Sequence, residues 1–172
     1  KLLTTISLAL TLCLSLTTVF AAPSINKNGA VKKDSILING EKVDANTTAA
    51  FDSKKETYSA AGVSDETIDV IEKVNANPSQ LASLIKGVDL SGYSLLTEFQ
   101  DLSVYVNGEL KQKVKNVTLT WEVPNLVKTA KNVKVLHYST ERNTWEILTP
   151  KSVDFDNKTI TQEFKDLSPV AV

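Results

Sequence analysis

The feature that most constrains the fold is a series of short apolar segments after residue 100, each bounded by turn-forming residues. In the clearest segment, residues 117–123, apolar and polar side chains alternate until Pro124 ends the pattern. Such alternation is typical of a β-strand with one buried face. The other segments are 102–106, 133–139, 144–149, 158–164 and 169–172. Because such short connections join antiparallel neighbours, the sequence predicts an antiparallel β-sandwich of the immunoglobulin-like type from about residue 95 to 172.

Two short helices are predicted before these strands. Ser64 can cap the first helix, and apolar residues recur at three-residue spacing over 68–74. Asn77 can cap the second helix, Pro78 suits its first position, and Gly87 suits its end. A hairpin of two short helices cannot bury its apolar stripe alone, so we expect it to pack against the sandwich. The predicted fold class is therefore α+β, with the helical hairpin and the sandwich together forming a domain over residues 64–172.

Residues 22–63 are predicted to form a polar arm. One short hairpin is expected within it at 35–43, because Asn39 and Gly40 form a strong hairpin-turn signal between two short strand-like segments. The stretch 45–61 is low in apolar residues and is expected to be irregular or linker-like.

The N-terminal segment predicts export. After the single cation Lys1, residues 2–20 are uncharged and mostly apolar, which is typical of a signal peptide. Val19 and Ala21 suit a signal-peptidase site, so residues 1–21 would be removed and the mature chain would begin near Ala22. A membrane anchor is the alternative, but the segment is only just long enough and no basic cluster follows it. We therefore expect a secreted or cell-surface protein without a membrane span in the mature chain.

The charge and the rare residues exclude several functional classes. The chain has 19 basic and 20 acidic residues, which gives no field of the kind that nucleic-acid binding requires. It contains one His, one Cys and no Met, so cysteine-rich zinc sites and disulfide frameworks are excluded. The single Cys13 lies within the predicted signal peptide. We expect no cofactor and no nucleic-acid partner.

His137 is the one candidate for acid–base catalysis. Ser139 lies two residues further on the same predicted strand and shares its face, so a hydrolase built on this pair is one hypothesis. A strand histidine flanked by apolar residues is more often a buried core residue, however. The acidic residues form no recognisable catalytic pair. We therefore predict that the chain is not an enzyme and has no catalytic residues.

Aromatic residues suggest a sugar-binding platform on the sandwich. Tyr105, Tyr138 and Trp145 are the candidates, because stacking on a sugar requires exposed rings. Trp121 shares its face with the apolar residues of 117–123 and is expected in the core. Trp145 shares its side with Ile147, which favours the same interpretation for that ring.

Asp154 and Asp156 are the candidates for a metal site. Oxygen ligands two residues apart can bind one calcium ion, although the glycine and distal glutamate of an EF-hand loop are missing. The alternative is a solvated turn rich in Asp and Asn, and no metal is expected.

Six segments carry a resemblance to known proteins: 71–77, 89–93, 117–126, 135–139, 142–146 and the final Leu-Ser-Pro-Val-Ala-Val of 167–172. Through them the stretch 65–172 resembles a region found in uncharacterised secreted or cell-wall-attached proteins of Firmicutes, particularly clostridia. The resemblance implies an envelope-associated helical and β-sandwich module that carries no known chemistry. Its function is expected to be binding of an extracellular protein or surface component, and a carbohydrate-binding module is the alternative.

Overall fold

The structure, a computed structural model, describes residues 25–111 and 113–172, so the predicted signal peptide lies outside the described residues. The helices are α1 (Lys55–Ala60), α2 (Asp65–Ala76) and α3 (Leu81–Leu84). The strands are β1 (Leu37–Ile38), β2 (Glu41–Lys42), β3 (Thr47–Asp52), β4 (Gln100–Val106), β5 (Glu109–Lys111), β6 (Lys115–Glu122), β7 (Val135–Ser139), β8 (Thr144–Leu148), β9 (Ser152–Asp154), β10 (Thr159–Asp166) and β11 (Pro169–Ala171).

These strands form two antiparallel sheets, as the alternating segments predicted. The first sheet has the order β2-β1-β6-β10-β9, and the second has the order β3-β4-β11-β7-β8 with β5 added beside β4. Inward side chains of both sheets share one apolar core. In β6 the alternation places Val117, Leu119 and Trp121 in that core, fully buried. The prediction that Trp121 is a core residue is confirmed.

The central strands of the second sheet, β4, β7 and β11, have buried residues on both faces. Leu136 and Tyr138 of β7 pack with residues of helices α1 and α2. Val135 of the same strand packs instead in the core between the two sheets. The fully buried residues of α2 recur at helical spacing and complete this second apolar cluster: Ile68, Ile71 and Val74. The molecule therefore has three layers, with the second sheet in the middle.

Helix α2 begins as the sequence predicts. The Ser64 side chain accepts a hydrogen bond from the Thr67 amide and caps α2. After Asn77 the chain forms a single 3-10 turn, Pro78–Gln80, followed by the one-turn helix α3. None of the helices in the described part of the chain is long and apolar enough to cross a membrane.

The prediction of an irregular segment over 45–61 is wrong. β3 pairs with β4 along its whole length, and α1 follows it. Phe51 of β3 packs 5.8 Å from Trp121, ring centre to ring centre, and Tyr58 of α1 donates its hydroxyl hydrogen to the Phe99 carbonyl at 2.8 Å. Few apolar residues suffice here because β3 is an edge strand, and its backbone hydrogen bonds come from β4.

The predicted hairpin at 35–43 forms, but it belongs to the first sheet. β1 and β2 pair around Asn39 and Gly40, whose φ angles are 52° and 83°. β1 also pairs with β6, and Ile36 is buried in the inter-sheet core. Segments of the predicted arm thus contribute strands to both sheets. The three-residue strand β5 pairs with β4 across an Asn-Gly turn at 107–108, which is a sequence signal for a hairpin, whereas the sequence did not indicate the three-residue strand β9.

Candidate functional site

Two of the large apolar side chains that are exposed face the same groove. Tyr93 is 40% exposed and Val127 is 48% exposed, whereas Leu110, 39% exposed, lies elsewhere. The groove has a volume of about 260 Å³. We call it the Tyr93 groove; the residues that matter to its chemistry are Tyr93, Ser94, Val127, Lys131, Asn132 and Lys134.

A tight turn holds Tyr93 at the rim of the groove. The Tyr93 amide donates to the Leu90 carbonyl at 3.1 Å, and Gly92 adopts the positive φ of 79° that the third position of such a turn requires. Leu90 is buried beneath the helical segment. Asp89 accepts hydrogen bonds from the Ser91 hydroxyl and amide, which lower the pKa of this carboxyl and fix the start of the turn. The Tyr93 ring is therefore presented by an ordered loop.

The opposite wall is a loop anchored at both ends in the inter-sheet core. Leu126 and Val135, which flank the loop, are fully buried, and Val133 packs against the same core. Within the loop the Ala130 amide donates to the Val127 carbonyl at 2.9 Å and closes a turn. This turn leaves the Val127 side chain in solvent.

The groove is lined by cations and neutral groups. Lys131 and Lys134 line it together with hydroxyl and amide side chains, and no acidic residue is among the lining residues that the structure describes. Lys134 donates to the Thr149 hydroxyl at 2.7 Å, and within residues 25–111 and 113–172 neither lysine forms an ion pair. The neighbouring Lys128, by contrast, pairs with Asp156 at 2.5 Å.

The aromatic residues predicted from the sequence do not form an exposed platform. Tyr138 is buried, and its ring meets the half-buried Trp145 edge-on at 5.1 Å. Tyr105 is half-buried on β4, where it pairs in register with Thr48. Tyr93, which the structure does expose, was missed. The available signal was an aromatic residue directly after a turn glycine, as in Ser-Gly-Tyr.

His137 and Ser139 have different hydrogen-bond partners. The Nε2 of His137 lies 2.8 Å from the Ser168 hydroxyl oxygen, and Ser168 also donates a hydrogen bond to the Tyr138 carbonyl. Ser139 instead donates to Asp166 Oδ2 at 2.9 Å. His137 and both serines are buried, and burial lowers the pKa of His137 so that the neutral imidazole is favoured. The histidine thus lies in the core, as the sequence analysis favoured.

A charged network surrounds this buried histidine. Arg142 donates through Nε to Glu146 at 2.6 Å and through Nη2 to Asp166 at 2.7 Å. The Arg142 hydrogen bond is the main cause that lowers the pKa of Glu146. His137 Nδ1 lies 3.5 Å from Glu146 Oε2 but makes no hydrogen bond there. The arrangement resembles a catalytic triad in composition, but it links strands β7, β8 and β10, and its two serines, Ser139 and Ser168, are both fully buried.

Asp101 is a buried carboxyl beneath α1. It lines a cleft of about 140 Å³ at the point where the partner of β4 changes from β11 to β5. Its Oδ2 accepts from the Ser103 hydroxyl at 2.7 Å, and its Oδ1 has no hydrogen-bond partner among the described residues. The pKa of Asp101 is raised to about 6, chiefly by burial and to a smaller extent by the nearby Asp52, against the lowering effect of the Ser103 hydrogen bond.

The two candidate metal ligands have different partners. Asp154 accepts hydrogen bonds from the Asp156 and Asn157 amides at 3.0 and 2.9 Å, which close a turn. The Asp156 side chain pairs with Lys128. The part of the chain that the structure describes contains no group of three or more potential metal-ligating side chains.

No protein-family model matches the sequence, and comparisons with curated proteins and with solved structures also returned no match. The Tyr93 groove, the His137 network and the Asp101 cleft are therefore interpreted from their own geometry.

Proposed function

We propose that the chain is a secreted, non-catalytic interaction module of a bacterial cell envelope, and that it binds an extracellular protein or cell-surface component through the Tyr93 groove. One observation carries the proposal: exposed apolar side chains and unpaired cations meet in one groove between two anchored loops. Exposed apolar surface that coincides with a groove marks a binding site more often than isolated exposed residues do. Export is inferred from the N-terminal apolar segment.

The placement of the histidine supports binding rather than catalysis. A general base must reach its substrate within hydrogen-bond distance, directly or through one water. His137 is 1% exposed and its nearest hydroxyl, on Ser168, is 0% exposed. The hydrolase hypothesis built on His137 and Ser139 loses its geometric basis, because the two side chains have different partners.

The finer fold assignment is also a proposal. We propose that the two antiparallel sheets form an immunoglobulin-like sandwich, and that α2 and α3 act as a helical hairpin covering its second sheet. Each sheet combines strands from the early part of the chain with strands from its late part, which supports the first point. The apolar cluster joining α2, α3 and β7 supports the second.

Carbohydrate binding is the second candidate function. The Tyr93 ring is exposed next to Ser94, and Asn132 lines the opposite wall. An exposed ring beside hydroxyl and amide groups suits a sugar, whose apolar face stacks while its hydroxyls form hydrogen bonds. Tyr93 therefore replaces Tyr105, Tyr138 and Trp145 as the aromatic residue on which this hypothesis depends.

The proposal is tested by retention of bacterial and host surface components on the immobilised protein. We expect Tyr93→Ser and Val127→Ser to reduce retention, because both remove apolar surface from the groove. Leu110→Ser is the matched control, since it removes a similarly exposed apolar side chain outside the groove. Equal retention by all variants would reject the groove as the binding surface. Hydrolysis of an ester, peptide or glycoside that is lost in His137→Ala would contradict the non-catalytic assignment.

A further inference from the structure

We propose that the Tyr93 groove binds an anionic glycan, a carbohydrate that carries carboxylate or phosphate groups. This inference rests on the proposed function of the groove as a binding surface and specifies its ligand. The inference is based on the presence, in one groove, of an exposed tyrosine and two lysines that have no carboxylate partner among the described residues.

The charge of the groove selects an anion. Lys131 and Lys134 line one wall, and the described lining contains no acidic side chain. Lys128, on the same loop, is already neutralised by Asp156 at 2.5 Å. A groove whose described lining holds two lysines and no acidic side chain attracts anions and disfavours cations. A neutral ligand would gain no electrostatic attraction from the two lysines.

The remaining lining groups select a carbohydrate. Tyr93 offers a ring that is 40% exposed on a backbone fixed by its turn, and a tyrosine side chain loses little conformational entropy on stacking because it has only two rotatable angles. Ser94, Thr129 and Asn132 supply hydroxyl and amide groups that suit sugar hydroxyls. An aromatic ring, neutral hydrogen-bonding groups and cations together match the apolar face, the hydroxyls and the acidic groups of an anionic sugar.

The walls of the groove argue against an acidic peptide. Extended peptides commonly bind by adding a strand to a sheet edge, where backbone groups supply the hydrogen bonds. The lining residues lie outside the strands: Gly92 to Leu96 precede β4, Val127 to Lys134 join β6 to β7, and Val172 follows β11. Among the residues that the structure describes, no strand residue lines the groove, so a peptide would not bind there by adding a strand. The volume of about 260 Å³ suits a short stretch of a longer polymer.

The test measures binding of the purified protein to polygalacturonate, which carries carboxylates, and to a phosphomannan, which carries phosphates. Neutral mannan is the reference. We expect binding to at least one anionic polymer, no comparable binding to mannan, and loss of affinity as NaCl is raised from about 50 to about 500 mM. The two anionic polymers distinguish a carboxylate ligand from a phosphate ligand.

Variants locate the binding site. Lys131→Gln with Lys134→Gln is expected to lower affinity for the anionic polymer about tenfold. Lys42→Gln with Lys165→Gln is the matched control, because it removes the same charge from exposed residues of the first sheet. Tyr93→Phe is expected to retain affinity and Tyr93→Ser to lose it. Unchanged thermal unfolding of each variant shows that the fold is intact.

Three outcomes would overturn the glycan assignment. The first is an equal loss of affinity in the two double lysine variants, which would show nonspecific electrostatic attraction rather than binding in the groove. The second is binding of poly-glutamate in preference to either anionic glycan. The third is absence of binding to both anionic polymers while Tyr93→Ser still reduces retention of surface components; in that case the groove remains a binding surface and only its ligand is wrong. If Tyr93→Ser changes neither measurement, both proposals fail.

Discussion

The indole Nε1 of Trp121 donates a hydrogen bond to the side-chain oxygen of Asn28 at 3.0 Å, and both residues are buried. The backbone amide of Asn28 in turn donates a hydrogen bond to the side-chain oxygen of Gln100 at 2.6 Å. Because Trp121 lies on β6 and Gln100 on β4, Asn28 connects the two sheets. A polar residue before the first strand thus satisfies the one polar atom of the largest core side chain.

We expect Asn28→Ala to lower the free energy of unfolding by about 2 kcal/mol, because it leaves the buried Trp121 N–H without an acceptor. Urea unfolding at neutral pH measures the change. Lys27→Ala, an exposed neighbour, is the control and should leave stability nearly unchanged. In Trp121→Phe the effect of Asn28→Ala should shrink, since no N–H remains to be satisfied. An equal effect in both backgrounds would show that the hydrogen bond does not cause the loss.

The inward face of the sandwich could be predicted because it follows from local alternation. Val117, Leu119 and Trp121 repeat at period two, and this pattern decides which face is buried without knowledge of the partners. The burial of Asn28 could not be predicted in this way. It depends on hydrogen bonds to residues that are 72 and 93 positions away, which no local pattern contains.

In the candidate site, too, features set by a local sequence pattern could be predicted, and features set by distant residues could not. The prediction of a core histidine agrees with the burial of His137, because flanking apolar residues indicate burial directly. The exposure of Tyr93 depends on the turn that Gly92 closes and on the burial of Leu90 under the helices. Its proximity to Lys131 depends on two loops that are separated in sequence and meet only in the folded molecule.

Gly29 is expected to tolerate no side chain. Its amide donates to the Glu122 carbonyl at 2.8 Å, and a Cβ at this position would lie 2.6 Å from the Glu122 Cβ. Gly29→Ala should therefore lower the free energy of unfolding by about 1–3 kcal/mol through steric overlap. Chemical unfolding of Gly29→Ala and of the control Ala30→Ser, an exposed neighbour, measures the difference. Equal stability of the two variants would show that the backbone at Gly29 can move away from Glu122 without loss of stability.

Asp101 is expected to make stability depend on pH. Burial raises the pKa of Asp101 to about 6 in the folded state, above the ordinary value of 3.8. The folded state therefore binds the proton more tightly than the unfolded state, and the contribution is complete below about pH 4 and lost as pH rises through about 6. The pKa difference of about two units corresponds to at most about 3 kcal/mol.

Asp101→Asn should remove this dependence, because the amide stays neutral at every pH. We expect the variant to be more stable than the native chain at pH 8 and about equally stable at pH 4. Asp69→Asn, on the exposed side of α2, is the control and should leave the pH profile as it is. Parallel stability profiles for the native chain and Asp101→Asn would contradict the raised pKa.

Arg142 is expected to be the most costly charge to remove. Asp166 is 4% exposed, and the Arg142 guanidinium is the cation that neutralises it, at 2.7 Å. Arg142→Met should lower the free energy of unfolding by about 3 kcal/mol, because it leaves a buried carboxylate without its counter-charge. Lys115→Met is the matched control: its ion pair with Glu141 is exposed and should contribute less than about 1 kcal/mol.

A double variant separates the charge from the packing of the arginine stem. If the unpaired Asp166 carboxylate causes the loss, Asp166→Asn should recover much of the stability in the Arg142→Met background, although it destabilises the native chain. Guanidinium would screen these charges, so urea unfolding at neutral pH is the appropriate measurement. Additive effects of the two substitutions would place the contribution of Arg142 in its contacts along the β7–β8 turn rather than in its charge.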